Sequence, residues 1–177
     1  MGKALTVFLV LSAALAGAGM YYLQVYAFYE EVQATGQNDV ELTLIATDTP
    51  EGILYEDFKA IDADSSPLRY RACFTTSMTM GFLTETYVIY ENPVPNVAPG
   101  WFDCFDAKAL GAALEADQAV PFLGEFNVLY GFDRVVAIDG AGNGFVWHQI
   151  NACGQAAFDG DPLPQGCPLP PERDTEN

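Results

Sequence analysis

The chain reads as an α+β protein, with an N-terminal transmembrane helix followed by one small domain that has a mostly antiparallel sheet and one packed helix. Three observations lead there. Ala4 to Tyr29 run without a single charged side chain, and a bilayer core of about 30 Å needs only about 20 apolar residues in a helix. Downstream, several short stretches are extended in character, some with apolar and polar residues alternating at the period of a strand. One later segment, Asp106 to about Asp117, carries the N-cap and periodicity of a helix.

The apolar run starts after Lys3 and ends against Glu30 and Glu31. Ala14-Leu15-Ala16 and Ala16-Gly17-Ala18 would each serve as a signal-peptidase site. Cleavage there would leave Tyr21, Tyr22, Leu23, Val25, Tyr26, Phe28 and Tyr29 exposed to water. Clustered tyrosines also suit the interface at the end of a span. The expectation is therefore an uncleaved signal-anchor over residues 1–35, its extension included. Lys3 on one side and the glutamates on the other place the N-terminus in the cytoplasm and the domain outside. Ser12, Ala16 and Gly19 form a small-residue stripe, and Ala13 and Gly17 are spaced to let another helix approach. Small residues are common in membrane helices, so the stripe alone does not indicate a partner.

Charge narrows the function classes. Asp and Glu number 24 against seven Lys and Arg. Such an acidic domain is repelled by phosphate backbones, which excludes nucleic acid as a partner. It is repelled by anionic lipid headgroups too, so the helix and not the domain's charge is expected to hold the membrane.

In the domain, Val40 to Ala46 alternates as a strand and a turn is expected at Thr49-Pro50-Glu51-Gly52. An extended stretch follows from Ile53 to Ile61, then a loop of turn formers from Asp62 to Pro67. Leu68 to Thr75 reads as a strand with Tyr70, Ala72 and Phe74 toward the core and Arg69, Arg71 and Cys73 on the opposite face. Gly81 to Tyr90, rich in aromatic and β-branched residues, also reads as a strand. Asp106 caps the helix, whose buried stripe would be Ala109, Leu110, Ala113 and Leu114. Val128 to Asp139 and Phe145 to Ile150 flank Gly140-Ala141-Gly142-Asn143-Gly144 as a hairpin. From Gln155, five of the eleven prolines mark an extended, mobile tail. The division expected is thus 1–35 anchor, 36–154 soluble α+β domain and 155–177 tail.

Cys73, Cys104, Cys153 and Cys167 form no C-x-x-C pair, and the chain has a single histidine. No metal and no cofactor are expected from that set. An even cysteine count after an export signal indicates two disulfides in an oxidising compartment. Three pairings are possible, and Cys73–Cys104 with Cys153–Cys167 is the one favoured. The second would close a loop of about 15 residues, a contribution of roughly 3 kcal/mol.

Each candidate for chemistry has a structural counterpart. Cys104 sits at a helix start, but Asp103 and Asp106 oppose a thiolate, which favours a disulfide. Cys73, if free, would have its thiolate stabilised by Arg69 and Arg71. The two arginines could equally clamp an anionic ligand or form internal ion pairs. His148 on an apolar strand face is more often a hydrogen-bonded structural residue than an acid–base group. Asp139 to Gly144 matches positions 1, 5 and 6 of a calcium loop. Ala141 and Ile150 stand where ligands are needed, so the segment is read as a turn. There is no nucleophile elbow, P-loop or dinucleotide fingerprint.

Four segments carry a family resemblance: Gly19 to Val32, Asp62 to Phe74 (DADSSPLRYRACF), Ala98 to Ala107 (APGWFDCFDA) and Trp147 to Asn151 (WHQIN). On them the chain resembles an uncharacterised family of single-span membrane proteins from alphaproteobacteria, a domain of unknown function. The resemblance covers nearly all but the tail. It implies a bacterial inner membrane and a periplasmic domain, and it brings no catalytic residues. A histidine-kinase label attached to some relatives does not suit this chain, which lacks a nucleotide lid and the necessary length.

The function expected is a membrane-anchored, periplasmic accessory or assembly protein without enzymatic activity, acting on another envelope membrane protein. The alternative is a ligand-binding or thiol-dependent enzyme centred on Cys73, Arg69, Arg71 and His148. An anion-clamping sensor is a variant of it.

Overall fold

The computed structural model describes residues 2–36 and 38–171. The chain forms two compact units, Met1–Glu30 and Glu31–Asn177.

The first unit is helix α1, Gly2–Val25. At 1.5 Å per residue its 24 residues measure about 36 Å. It is long and apolar enough to cross a membrane, with a mean hydropathy of 1.9 over its most apolar window and no residue buried. The Thr6 and Ser12 hydroxyls donate within the helix, to Gly2 O and Leu9 O, each at 3.0 Å. Such internal bonding is what a lipid environment demands. Tyr22 and Tyr26 stack at its C-terminal end, their centroids 5.8 Å apart. The helix stops at Val25 and does not run on toward Thr35. Residues 30–32 are extended, because Val32 packs against the domain core.

The second unit is built on a six-stranded sheet in the order β1-β4-β5-β8-β7-β6. Its strands are β1 (Glu30–Val32), β4 (Glu56–Asp62), β5 (Arg71–Thr75), β6 (Ala119–Leu129), β7 (Phe132–Asp139) and β8 (Asn143–Ile150). The four pairings from β4 through to β6 are all antiparallel. A separate antiparallel pair, β2 (Glu41–Thr43) and β3 (Pro50–Gly52), lies over one face.

Register sorts the side chains. Ala72 faces Val146, Phe74 faces Gly144 and Arg134 faces His148. Tyr70, Ala72, Phe74, Val136, Ile138 and Val146 therefore share one face. They meet Val40, Leu42 and Ile53 from the β2–β3 region, Leu83 and Tyr87 in the principal core. The fit is tight at Gly144, where an added Cβ would lie 2.1 Å from the Phe74 ring. On the opposite face Arg71 pairs with Trp147, and Lys59 with Cys73. That face is covered by the segment leading to helix α3 (Ala107–Glu115), whose Phe105 contacts Phe145 and Trp147 edge-on.

Several sequence expectations hold in this frame. Ala72 and Phe74 face the core as read, although the strand begins at Arg71 because Leu68 and Arg69 lie in the 3-10 turn Pro67–Arg69, and Asp106 caps α3 by accepting from Lys108 N and Ala109 N. Of the four residues expected to be buried on α3, Leu110 is buried and Ala109 is exposed. Both favoured disulfides are present, Cys73–Cys104 and Cys153–Cys167. Closing a loop across 31 residues contributes about 3–4 kcal/mol in the chain-entropy picture.

Others are corrected. Gly81 to Tyr90 is not one strand. Its first part is helix α2 (Met80–Thr86), capped by Thr79, which accepts from Phe82 N. Leu83 and Tyr87, four residues apart, are both buried, and that spacing outweighs the β-branched composition. Only Tyr87 to Tyr90 is extended, with bridges Leu44–Tyr87 and Ile89–Phe122. Val128 to Asp139 is broken at Tyr130-Gly131, where Gly131 takes a φ of 84°. The preceding strand β6 contains Pro121, which an edge strand tolerates. The expected turn at 49–52 is strand β3, the reversal falling earlier, around Asp48 with a φ of 55°.

The tail expected from Gln155 begins instead with helix α4 (Ala152–Asp159), capped by Asn151 and ended by Gly160 in the left-handed region. Beyond it, Cys167 is bonded to Cys153, and Tyr130 Oη donates to Pro168 O at 3.2 Å. Residues 172–177 of that expected tail lie outside the described residues.

Candidate functional site

Strand alternation decides where three of the four candidate residues go. Arg71 and Cys73 occupy one face of the sheet. His148 shares the other face with Tyr70, opposite Arg134. The structure thus brings Arg71 and Cys73 together, and puts His148 on the far side of the strands. Arg69 ends the short 3-10 turn Pro67–Arg69 and is half-buried.

Arg71 is buried, 3% exposed. Its Nε donates to Asn96 O at 2.9 Å and Nη2 to Val97 O at 3.1 Å. Nη1 donates to Leu68 O at 2.7 Å and Tyr70 O at 2.6 Å. The guanidinium also lies over the Phe105 ring, 5.7 Å from its centroid. Carbonyl oxygens from two loops are gathered by one planar donor fork, an arrangement that lysine could not reproduce. Cys73 beside it is bonded to Cys104 and carries no thiol.

His148 is 5% exposed and stacks on Tyr70, centroids 4.8 Å apart. Its Nδ1 lies 2.8 Å from Pro67 O, and Arg134 Nε approaches its Nε2 at 3.2 Å. A carbonyl can only accept and a guanidinium can only donate, so Nδ1 carries the proton and Nε2 is the acceptor. The ring is neutral. Burial first, and then the positive charge of Arg134, push its pKa down to about 4. Burial likewise raises the Tyr70 hydroxyl to about 12, against the opposing pull of Arg134. Both imidazole nitrogens are engaged, so proton transfer to a substrate would require one of these bonds to open.

A second polar network was not legible in the sequence. Buried Asp133 accepts from Tyr90 Oη (3.2 Å), Asn127 N (3.0 Å) and Asn151 Nδ2 (2.6 Å). Asn151 Nδ2 also donates to Asn127 Oδ1, which accepts from Gly131 N as well. Asn151 Oδ1 in turn caps α4 through Gly154 N. This network fastens the β6–β7 turn to α4, where Gly131 and Gly154 approach so closely that a Cβ on either would sit within 2.6 Å of the other's backbone. Only the pairing of distant strands reveals it.

The cavities are open. One of about 540 Å³ lies between β1, β4 and residues 101–104, with Trp101 and Ile61 beside the charged Glu31, Lys59 and Asp103. A second, about 610 Å³, shares Lys59 and Cys104 with it and reaches Phe145. A groove of about 630 Å³ separates Pro93-Val94-Pro95 from α3. Among the described residues no group of three or more His, Cys, Asp or Glu side chains is arranged to hold a metal ion. Asp139, the first residue of the calcium-like stretch, accepts from Ala141 N and Asn143 N and so closes a turn.

No curated protein and no solved structure matches the chain. The model of the family of unknown function DUF6446 does match, over residues 40–168, which spans β2 to the second disulfide, and the chain belongs to that family.

Proposed function

We propose that this protein is a membrane-anchored accessory factor whose domain works in the periplasm by binding another envelope protein. The observation that carries the reading is the conjunction, in one chain, of an apolar helix with no buried residue and a domain closed by two disulfides. Disulfides persist in oxidising compartments, and a helix of this kind needs lipid or a partner around it. Only residues 26–29 separate α1 from β1. In this reading the anchor crosses the bacterial inner membrane once, with Lys3 on the cytoplasmic side and Glu30 and Glu31 outside. A non-enzymatic role is supported by the way Arg71, Cys73 and His148 are engaged, each bonded into the fold that presents it.

Alkylation of the four cysteines in intact cells, before and after reduction, tests the compartment. Complete protection before reduction, with retention of the full chain in membranes at alkaline pH, is the expected result. Free thiols, or release by alkali, would overturn the anchored periplasmic placement. Purification of the full chain in several mild detergents tests the role. The same envelope protein should accompany it each time, whereas a chain recovered alone in all of them would sink the accessory reading.

A further inference from the structure

We infer that helix α3 and the groove beside it form a docking surface for a second copy of this chain, the two α3 helices packing antiparallel. Three features of the domain lead there.

The first is shape. Pro93, Val94 and Pro95 form one wall of the groove and α3 the other, and Val94 is 61% exposed. On the helix the floor is Gly111 and Ala112, and a Cβ built on Gly111 meets nothing within 4 Å. Small residues at the centre of a helix face let a second helix approach closely, with the proline wall left to bury its flank.

The second is charge. Lys59 and Lys108 are the exposed cations among the described residues of the domain, and Lys108 borders this groove. Glu115 borders it too, seven residues further on. Two turns of helix put both side chains on one face, about 10.5 Å apart along the axis.

The third is symmetry. A partner helix must bring an acid to Lys108 and a base to Glu115, at the same spacing in the reverse direction. Helix α3 itself does this. With a two-fold axis between Gly111 and Ala112, Lys108 faces Glu115 of the partner subunit and the reverse pair forms at the other end. That self-complementarity is what an isologous contact requires. The net charge of −17 per chain opposes association, so a contact that spends a scarce exposed lysine against an acid suits this protein better than an apolar face alone.

The inference does not depend on which envelope protein the domain serves. It is tested on the full chain in detergent micelles by sedimentation over a range of concentrations. Lys108→Glu and Glu115→Lys should each weaken dimerisation about tenfold, because each turns two attractions per dimer into repulsions. The double variant should restore the original affinity. Neither change frays the helix, since an acid near its N-terminus and a base near its C-terminus both favour the helix dipole. A photo-crosslinker at Ala112 should capture a second copy in cells. A monomer at every concentration, a dimer indifferent to both single changes, a double variant that stays weak, or an Ala112 crosslink to a different protein alone would each overturn it.

Discussion

On one face of the six-stranded sheet the cation is Arg134, partly exposed beside Glu125 and hydrogen-bonded to His148. On the other the buried cation is Arg71, sealed against Phe105 and committed to four backbone carbonyls. Tyr70 and Arg71 are adjacent in sequence, yet they enter these two surroundings because a strand turns successive side chains to opposite faces. The first face holds groups that titrate and can respond to solvent. The second holds a guanidinium that remains charged at any ordinary pH and works as a clamp. The difference separates a responsive layer from a structural one within a single small domain.

Removing the clamp is the largest way to break that comparison. Arg71→Met keeps much of the apolar stem but leaves the carbonyls of Leu68, Tyr70, Asn96 and Val97 without their donor. Leaving buried acceptors unpaired costs about 1–3 kcal/mol each, less where water reaches them, so a loss of about 4 kcal/mol is expected in thermal or denaturant unfolding. Hydrogen exchange should then show the 94–97 segment losing protection while Val136 and Val146 on the far face keep theirs. Uniform loss across both faces would mean that the layers are not independent.

His148 sharpens the contrast through pH. Its folded-state pKa, about 4, lies below the ordinary imidazole value of 6.5, with burial the main cause and Arg134 the second. Between those two values the unfolded chain takes up a proton that the folded chain refuses. Stability contributed by the neutral ring is therefore fully present above about pH 6.5 and is lost as pH falls toward 4, by about 3 kcal/mol in all. His148→Gln can still donate toward Pro67 O and accept from Arg134 without titrating. Its stability between pH 4 and 6.5 should fall less steeply than that of the native chain, and parallel profiles would show that the imidazole carries no such linkage.

How much of this could be read from the sequence depended on whether a signal was local. The Asp106 cap, the apolar helix and the alternation of Tyr70, Ala72 and Phe74 are written in neighbouring residues. The even cysteine count after an apolar leader implies two disulfides, and the pairing favoured among the three possible is the one that forms. Helix α2 departs from the expected strand because Thr84, Thr86 and Tyr87 through Tyr90 weigh toward a strand, while the Thr79 cap and the Leu83–Tyr87 spacing that decide it are weaker marks. Strand β6 is not legible in the sequence because Pro121 interrupts its pattern, and an edge position that excuses a proline is a property of the finished sheet. The candidate site fared likewise. Alternation puts Arg71 and Cys73 on one face as expected, whereas Arg69, expected beside them, ends a 3-10 turn before the strand begins; the fourth member, His148, is related to that face only by the register of β5, β8 and β7. The same register brings up Arg134, its actual partner.

Arg134 offers the smallest expected effect, and it bears on what kind of layer the responsive face is. Its guanidinium lies 3.9 Å from Glu125, and both side chains reach solvent. A pair of that kind is worth about 0.5 kcal/mol or less. Nearby Glu41 has its pKa raised, by burial first and by the charge of Glu125 second, with Arg134 pulling the other way. Glu125→Gln therefore removes one attraction and one repulsion together. Because Glu41 titrates above its ordinary value, its ionised form is disfavoured in the fold, and taking away the neighbouring negative charge relieves part of that penalty above its pKa. The two changes oppose each other at neutral pH, so the unfolding midpoint should hardly move. The Glu41 carboxyl, followed by carbon NMR, should titrate at lower pH while remaining above the ordinary glutamate range because burial persists. A large drop in stability with Glu41 unmoved would instead mean that the Arg134–Glu125 pair holds the face together, which would make this layer as structural as the one beneath Arg71.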